Sequence, residues 1–305
     1  MERSSVRKTF SRLGMSYFMF VFVTYLVQGI VGIILKKTGM KDIVGANGTI
    51  LLSVAEMYLV GFPVYYFFMK RIPEDRNVGE QHMGAGRIGL FFLMSMGLMQ
   101  AGNLIGSCLM GVVSGILGRD ISNSTMDVLL KGNLPVLLFA TVVVAPVFEE
   151  LMYRKLLIDR IGSYGDRTAI LVSGVIFGLV HGNFFQFFYA CFLGMLFAYI
   201  YIRTGKIRYP MLLHMMVNAV GGGDLLKLAE HSPLISLYTG IYTIAVIIMA
   251  IAGIVILARL WKQRVLEEGI MEIPASRRFG IVFLNPGMML FFAGCLFSFI
   301  LSMAA

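Results

Sequence analysis

Glu149 and Glu150 are adjacent carboxylates, and Arg154 stands four residues beyond the second of them. Phe177 and His181 repeat that spacing, as do His214 and Asn218. Side chains four apart share one face of a helix, so these are three helical clusters rather than scattered polar residues. Glu150 can be neutralised by Arg154 on its own face, in the favourable order of acid before base. Glu149 is turned by about 100°, onto the face of Ala145 and Tyr153, and is left without a local counter-charge. The two carboxylates therefore suit different tasks. Glu149 is free to act as a general base on water. His181 can share or orient the same water. His214 and Asn218, one turn apart, offer two hydrogen-bond donors on one face, the minimum for holding an oxyanion. Together these groups describe amide-bond hydrolysis. No Ser or Cys stands in a nucleophile motif, so water is the expected attacker.

A second ligand set is open to the same residues. Glu149, His181 and His214 could hold zinc as one carboxylate and two imidazoles. The chain lacks the His-Glu-x-x-His helix of common zinc peptidases. The reading adopted is a site with no metal or other cofactor, with zinc as the alternative.

The elements that must position these groups are membrane helices. The chain is 58% hydrophobic and 14% charged, with a mean hydropathy of +0.80. A soluble domain carries roughly 25% charged residues and about 45–50% apolar ones. Apolar runs lie near 13–35, 49–69, 88–117, 134–157, 168–182, 184–202, 210–225, 234–258 and 279–303. Several reach about 20 residues, the length that crosses ~30 Å of hydrocarbon as a helix. The expected fold is all-α, a polytopic transmembrane helix bundle of eight or nine spans. The segment 168–182 is short for a full crossing, and His214 and Asn218 interrupt 210–225. His181 would also lie deeper than His214, so a shared site needs short or tilted helices, or a water-filled cavity.

The net charge of +9 reflects topology rather than nucleic-acid binding. Lys and Arg gather before the first span and in 70–87, 154–167, 203–208 and 259–278. Lys36, Lys37, Lys41, Arg119, Lys131 and Lys227 fall on the other side. By the positive-inside bias the N-terminus is cytoplasmic and the protein is a multi-pass protein of the cell membrane. The lipid bilayer is the one partner that the charge implies.

The remaining polar groups are given structural readings. Glu56, Gln28, Gln100 and Asn103 lie within spans, where neighbouring helices can satisfy them. His82 and His231 read as solvated loop residues. Cys108, Cys191 and Cys295 lie inside spans, without disulfide or thiolate-zinc spacing. Gly102 and Gly106, then Gly111 and Gly115, form two small-x-x-x-small pairs, which serve either internal packing or a dimer seam.

At its three clusters the sequence resembles the CPBP family of intramembrane endopeptidases, also called the Abi or CAAX-processing family, which includes the type II CAAX prenyl endopeptidase. Glu149, Glu150 and Arg154 match its Glu-Glu-x-x-x-Arg motif. Phe177 and His181 match Phe-x-x-x-His, and His214 and Asn218 match His-x-x-x-Asn. The run Ala190 to Thr204, with Gly194, Tyr201, Arg203 and Gly205, has the family's look as well. The resemblance implies that Glu149 is the water-activating base, assisted by His181. It makes His214 and Asn218 the oxyanion hole, with Glu150, Arg154 and Phe177 in support. It divides the chain into N-terminal helices over 1–133, a catalytic core over 134–225 and C-terminal helices over 226–305. The implied partner is a protein or peptide substrate at the membrane, prenylated or not. The competing readings are a non-catalytic scaffold or bacteriocin self-immunity protein, and a transporter.

Overall fold

A computed structural model describes residues 3–75, 80–123, 127–129, 131–222, 227–228, 232–264, 266–271 and 273–304. Its principal helices among the described residues are α1 Arg3–Thr38, α2 Lys41–Met69, α3 Ala85–Leu117, α4 Leu134–Tyr164, α5 Asp166–Val180, α6 Phe184–Thr204, α7 Arg208–Gly221, α8 Ile235–Leu260, α9 Ala275–Phe283 and α10 Pro286–Ala304. Seven of them are long and apolar enough to cross a membrane, namely α1, α2, α3, α4, α6, α8 and α10. The chain is a multi-pass, all-α membrane protein. The two remaining expected spans are α5 and α7, of 15 and 14 residues. At 1.5 Å per residue each is about 21–22 Å long, short of the hydrocarbon thickness. Their shortness answers the depth mismatch between His181 and His214.

The long helices are not regular. α2 contains a π-helical turn over Glu56–Gly61, and α4 contains two, over Leu138–Val144 and Leu151–Leu156. Two of the three sit just ahead of a proline, Pro63 and Pro146. A proline inside a helix has no N–H to donate and its ring meets the carbonyl four residues back, so a widened turn relieves the clash. Between its two π turns α4 keeps only the six-residue α segment Ala145–Glu150, which carries both carboxylates.

Glycines let the helices meet closely. A Cβ on Gly102 would lie 2.3 Å from the Tyr189 Cα, and one on Gly106 would lie 2.5 Å from the Phe184 carbonyl oxygen. These two glycines pack α3 on α6. Gly111 and Gly115 meet nothing within 4 Å. Replacing Gly102 with Ala is accordingly expected to destabilise by about 1–3 kcal/mol through overpacking, while Gly111→Ala changes little. Unfolding midpoints in detergent would check this, and equal effects at both positions would refute the assignment.

Two apolar clusters result. One joins α1, α2, α4, α5 and α10 around Tyr17, Tyr65, Tyr153, Phe177 and Phe291. The other joins α3, α6 and α7 around Met96, Phe197 and Leu213. Isoleucines of α8, among them Ile241, Ile244, Ile248 and Ile251, are exposed, as a lipid-facing surface should be. Cys191 and Cys295 are buried, whereas Cys108 is exposed on α3, so internal packing does not explain it. Glu56 is buried within the π turn of α2. His82 is exposed; His231 lies outside the described residues.

Candidate active site

The site lies where the two clusters meet. Glu150 and Arg154 are both fully buried, with Glu150 Oε2 3.1 Å from Arg154 Nε. The N–H is not aligned with that contact, and no guanidinium nitrogen has a hydrogen-bond partner among the described residues. The contact is charge pairing without a formed hydrogen bond. Arg154 is held by aromatic faces as well, 4.5 Å from the centre of the Phe177 ring and 5.5 Å from that of Phe197.

Glu150 has a second partner that helical spacing could not show. Its Oε1 lies 2.8 Å from His214 Nδ1, across 64 residues of sequence. Since a carboxylate only accepts, Nδ1 carries the proton. This turns the other ring nitrogen outward, and His214 Nε2 lies 3.7 Å from Glu149 Oε2. The pair Glu150–Arg154 is thus less self-contained than its spacing suggests, because Glu150 also orients a histidine.

Glu149 behaves differently from its neighbour. Its side chain is 20% exposed, and none of its described contacts is an arginine or lysine ion pair. Tyr58 of α2 donates a hydrogen bond to Glu149 Oε1 at 3.3 Å while its ring stacks on Phe148 at 4.6 Å. The sequence reading missed Tyr58. Its signal is the repeat of phenols at 58 and 65, two turns apart on one face of an apolar span.

His181 ends α5 and is set by local geometry. Its Nδ1 is 2.7 Å from the Phe177 carbonyl, so Nδ1 donates and Nε2 is left as an acceptor. Gly182, at φ +65°, turns the chain immediately afterwards, a conformation that side chains other than glycine resist. The Phe177 ring meets both histidine rings edge to face, at 4.9 Å for His181 and 5.8 Å for His214. One aromatic side chain thus spaces the two imidazoles. Glu149 is close enough to His181 to act on it electrostatically.

Asn218, one turn after His214, donates through Nδ2 to the Thr141 carbonyl at 2.8 Å. Thr141 belongs to the first π turn of α4. An amide nitrogen carries two hydrogens, so one remains for another acceptor. The second π turn is treated alike. The Met152 carbonyl accepts from Tyr17 and Tyr65, both at 2.9 Å, and the Tyr153 carbonyl accepts from Ser173 at 2.8 Å. Side chains of α1, α2, α5 and α7 therefore grip the irregular turns on either side of Glu149 and Glu150. π turns gather at functional sites for this reason, since they re-aim side chains and free backbone groups.

Glu149, Glu150, Arg154, Phe177, His181 and His214 are linked by these contacts, and Asn218 lies one turn from His214 on α7. The zinc alternative fits less well. Among the described residues no three His, Cys, Asp or Glu side chains stand close enough to hold a metal ion.

The sequence of this region has known counterparts. Residues 131–220 match the profile of the Rce1-like type II CAAX prenyl endopeptidases. Over these residues the chain is similar to the CPBP/CAAX family. A Bacillus subtilis protein, YdiL, named as a candidate membrane peptidase, is 30% identical over 106 residues, 33% of this chain and 42% of that protein. The membrane-embedded CAAX protease MroQ of Staphylococcus aureus is 28% identical over 110 residues, 33% of this chain and 44% of its own length. CAAX prenyl protease 2 of Arabidopsis thaliana is 31% identical over 101 residues, 26% of this chain and 32% of its own. The chain thus spans less than half the length of these relatives. No solved structure matches it. The CAAX segment holds α4 to α7, the elements that carry every charged or imidazole group of the site. Tyr17, Tyr58 and Tyr65 lie outside it.

Tyr58 yields a direct prediction. Tyr58→Phe keeps the stack on Phe148 and removes one hydrogen bond to a carboxylate. Peptide turnover should fall about tenfold through kcat, with little change in KM or melting temperature. A matching loss of thermal stability would mean that the hydrogen bond serves the fold rather than the reaction.

Proposed function

We propose that this chain is an intramembrane endopeptidase that cleaves a protein or peptide substrate at the membrane with water activated by Glu149. One observation carries the reading. Of two adjacent carboxylates, Glu150 is fully buried and engaged by Arg154 and His214, while Glu149 is partly exposed and faces His214 Nε2. This is the division between a positioning group and a base.

In the proposed reaction a water sits between Glu149 and the Nε2 lone pair of His181. Glu149 takes a proton as the water oxygen bonds to the scissile carbonyl carbon. The oxyanion that forms accepts from the free Nδ2 hydrogen of Asn218 and from His214 Nε2 when that nitrogen is protonated. On collapse the carbon–nitrogen bond breaks, and the proton held by Glu149 passes to the departing amine. Water is consumed, an acid and an amine are released, and the site returns to its starting state. The N-terminus is assigned to the cytoplasm by the distribution of Lys and Arg.

The names of the relatives support this class of reaction over a scaffold or a transporter. The test compares, by mass spectrometry, the peptides of cells carrying the wild-type chain with those of cells carrying Glu149→Gln at equal expression. Substrates should accumulate uncut in the variant and their fragments disappear. Identical peptide profiles would remove the enzyme reading.

A further inference from the structure

A second polar concavity lies away from this site, at the end of the bundle where α4 stops and α5 begins. The segment 266–271 is laced to that turn. Met271 N–H donates to the Ser163 carbonyl at 3.0 Å, Asp166 N–H to the Glu267 carbonyl at 3.1 Å, and Glu267 N–H to Asp166 Oδ2 at 2.9 Å. Gly269 packs directly on the backbone of Ser163, Tyr164 and Gly165. Between this segment, the start of α5 and α9 remains a cleft of about 300 Å³.

Two buried donors on residues of the cleft wall lack acceptors among the described residues. Thr168 is only 4% exposed, lines the cleft, and its hydroxyl has no hydrogen-bond partner among the described residues. Arg278 lines it too, with a buried Nε in the same condition, while its Nη2 contacts the Ile273 carbonyl at 3.3 Å. Arg167 adds a second guanidinium. The first turn of α5 also leaves the N–H groups of Arg167 and Thr168 without helical acceptors, at the positive end of the helix. Of the two glutamates on the wall, Glu267 is paired with Arg203 at 3.0 Å. Glu268, together with the Asp166 carboxylate that accepts from Glu267 N–H, is set against two arginines. A buried hydroxyl and a buried guanidinium nitrogen are costly to leave unmatched. Converging on a helix N-terminus, they make a site for a tetrahedral oxyanion.

We propose that this cleft binds a phosphate group. Two sources share that chemistry, free phosphate and the headgroup of a membrane phospholipid. The cleft borders α9, whose Phe279 is exposed and whose Phe283 is buried, an amphipathic arrangement suited to the water–lipid boundary. This site is independent of the peptidase reading, since none of its residues touches Glu149 or the histidines.

The test uses the full chain in a non-ionic detergent and follows its melting temperature during titration with inorganic phosphate and, separately, with short-chain phosphatidic acid. At least one should raise the melting temperature saturably. Arg278→Gln and Thr168→Val should each weaken the apparent affinity about tenfold or more. Glu268→Gln should tighten it by removing the opposing charge, and Glu149→Gln should leave it unchanged. Saturation by inorganic phosphate identifies a soluble ligand, and saturation by phosphatidic acid alone identifies a headgroup; either supports the site. Absence of saturable binding overturns it, as does binding that the Thr168 and Glu268 variants leave unmoved. Thr168→Val removes a single hydroxyl at constant shape, so it keeps the test decisive if Arg278→Gln does not fold.

Discussion

Glu149→Gln is expected to lower peptide hydrolysis by about 10²- to 10⁴-fold, the range that a positioned general base contributes. The substitution keeps an oxygen to accept from Tyr58 and keeps the side-chain length, so the geometry around Phe148 and His214 should persist. The loss should appear in kcat with KM little changed, because the base acts only as the reaction proceeds. The melting temperature should stay close to wild type, since Glu149 is partly exposed and, among the described residues, forms no ion pair with an arginine or lysine. His181→Ala should act in the same direction but more weakly, as it removes the group that orients the water and leaves the base. Both measurements call for protein reconstituted in liposomes and a substrate taken from the peptide comparison. Turnover by Glu149→Gln within about threefold of wild type would dismiss Glu149 as the base.

The site was legible in the sequence wherever one helix supplied the geometry. Spacing of four put Glu150 beside Arg154, His181 beside Phe177 and Asn218 beside His214, and each pair shares a helix or its cap in the structure. Apolar length identified the seven long helices, and it overreached at 168–182 and 210–225 because both runs are true helices that stop short. Contacts between helices were not legible. Nothing in the spacing of Glu150 announces His214, since their hydrogen bond depends on how α4 and α7 cross. The π turns escaped for a related reason. Pro63 and Pro146 mark where a helix must deform, but the neighbouring carbonyls could have been left to kink, to a side chain or to water. The Thr141 carbonyl ahead of Pro146 goes to Asn218, and the Met152 and Tyr153 carbonyls of the π turn that no proline marks go to Tyr17, Tyr65 and Ser173, partners from other elements. The glycine pairs divide likewise. Identical spacing gave Gly102 and Gly106 a partner helix and gave Gly111 and Gly115 none.

The buried pair makes a second large prediction, in which stability and activity separate. Glu150→Ala leaves the Arg154 guanidinium fully buried, without its nearest carboxylate and with the faces of Phe177 and Phe197 beside it. Removing one member of such a pair costs about 3–5 kcal/mol, enough to unfold many membrane proteins in detergent. Replacing both members with apolar residues of similar volume, Glu150→Leu with Arg154→Met, removes the stranded charge. Stability should return to within about 1 kcal/mol of wild type, so that the double variant is more stable than either Glu150→Leu or Arg154→Met alone. Circular dichroism during chemical unfolding would supply the four stabilities. Activity should not return with them, because His214 Nδ1–H still lacks the Glu150 oxygen that now receives it at 2.8 Å, and nothing then holds Nε2 toward Glu149. A stable but inactive double variant would assign Glu150 two separable roles, one toward Arg154 and one toward His214. A double variant that regained turnover would mean that Glu150 serves the arginine alone, and that the orientation of His214 comes from the Phe177 and Phe197 rings packed against it.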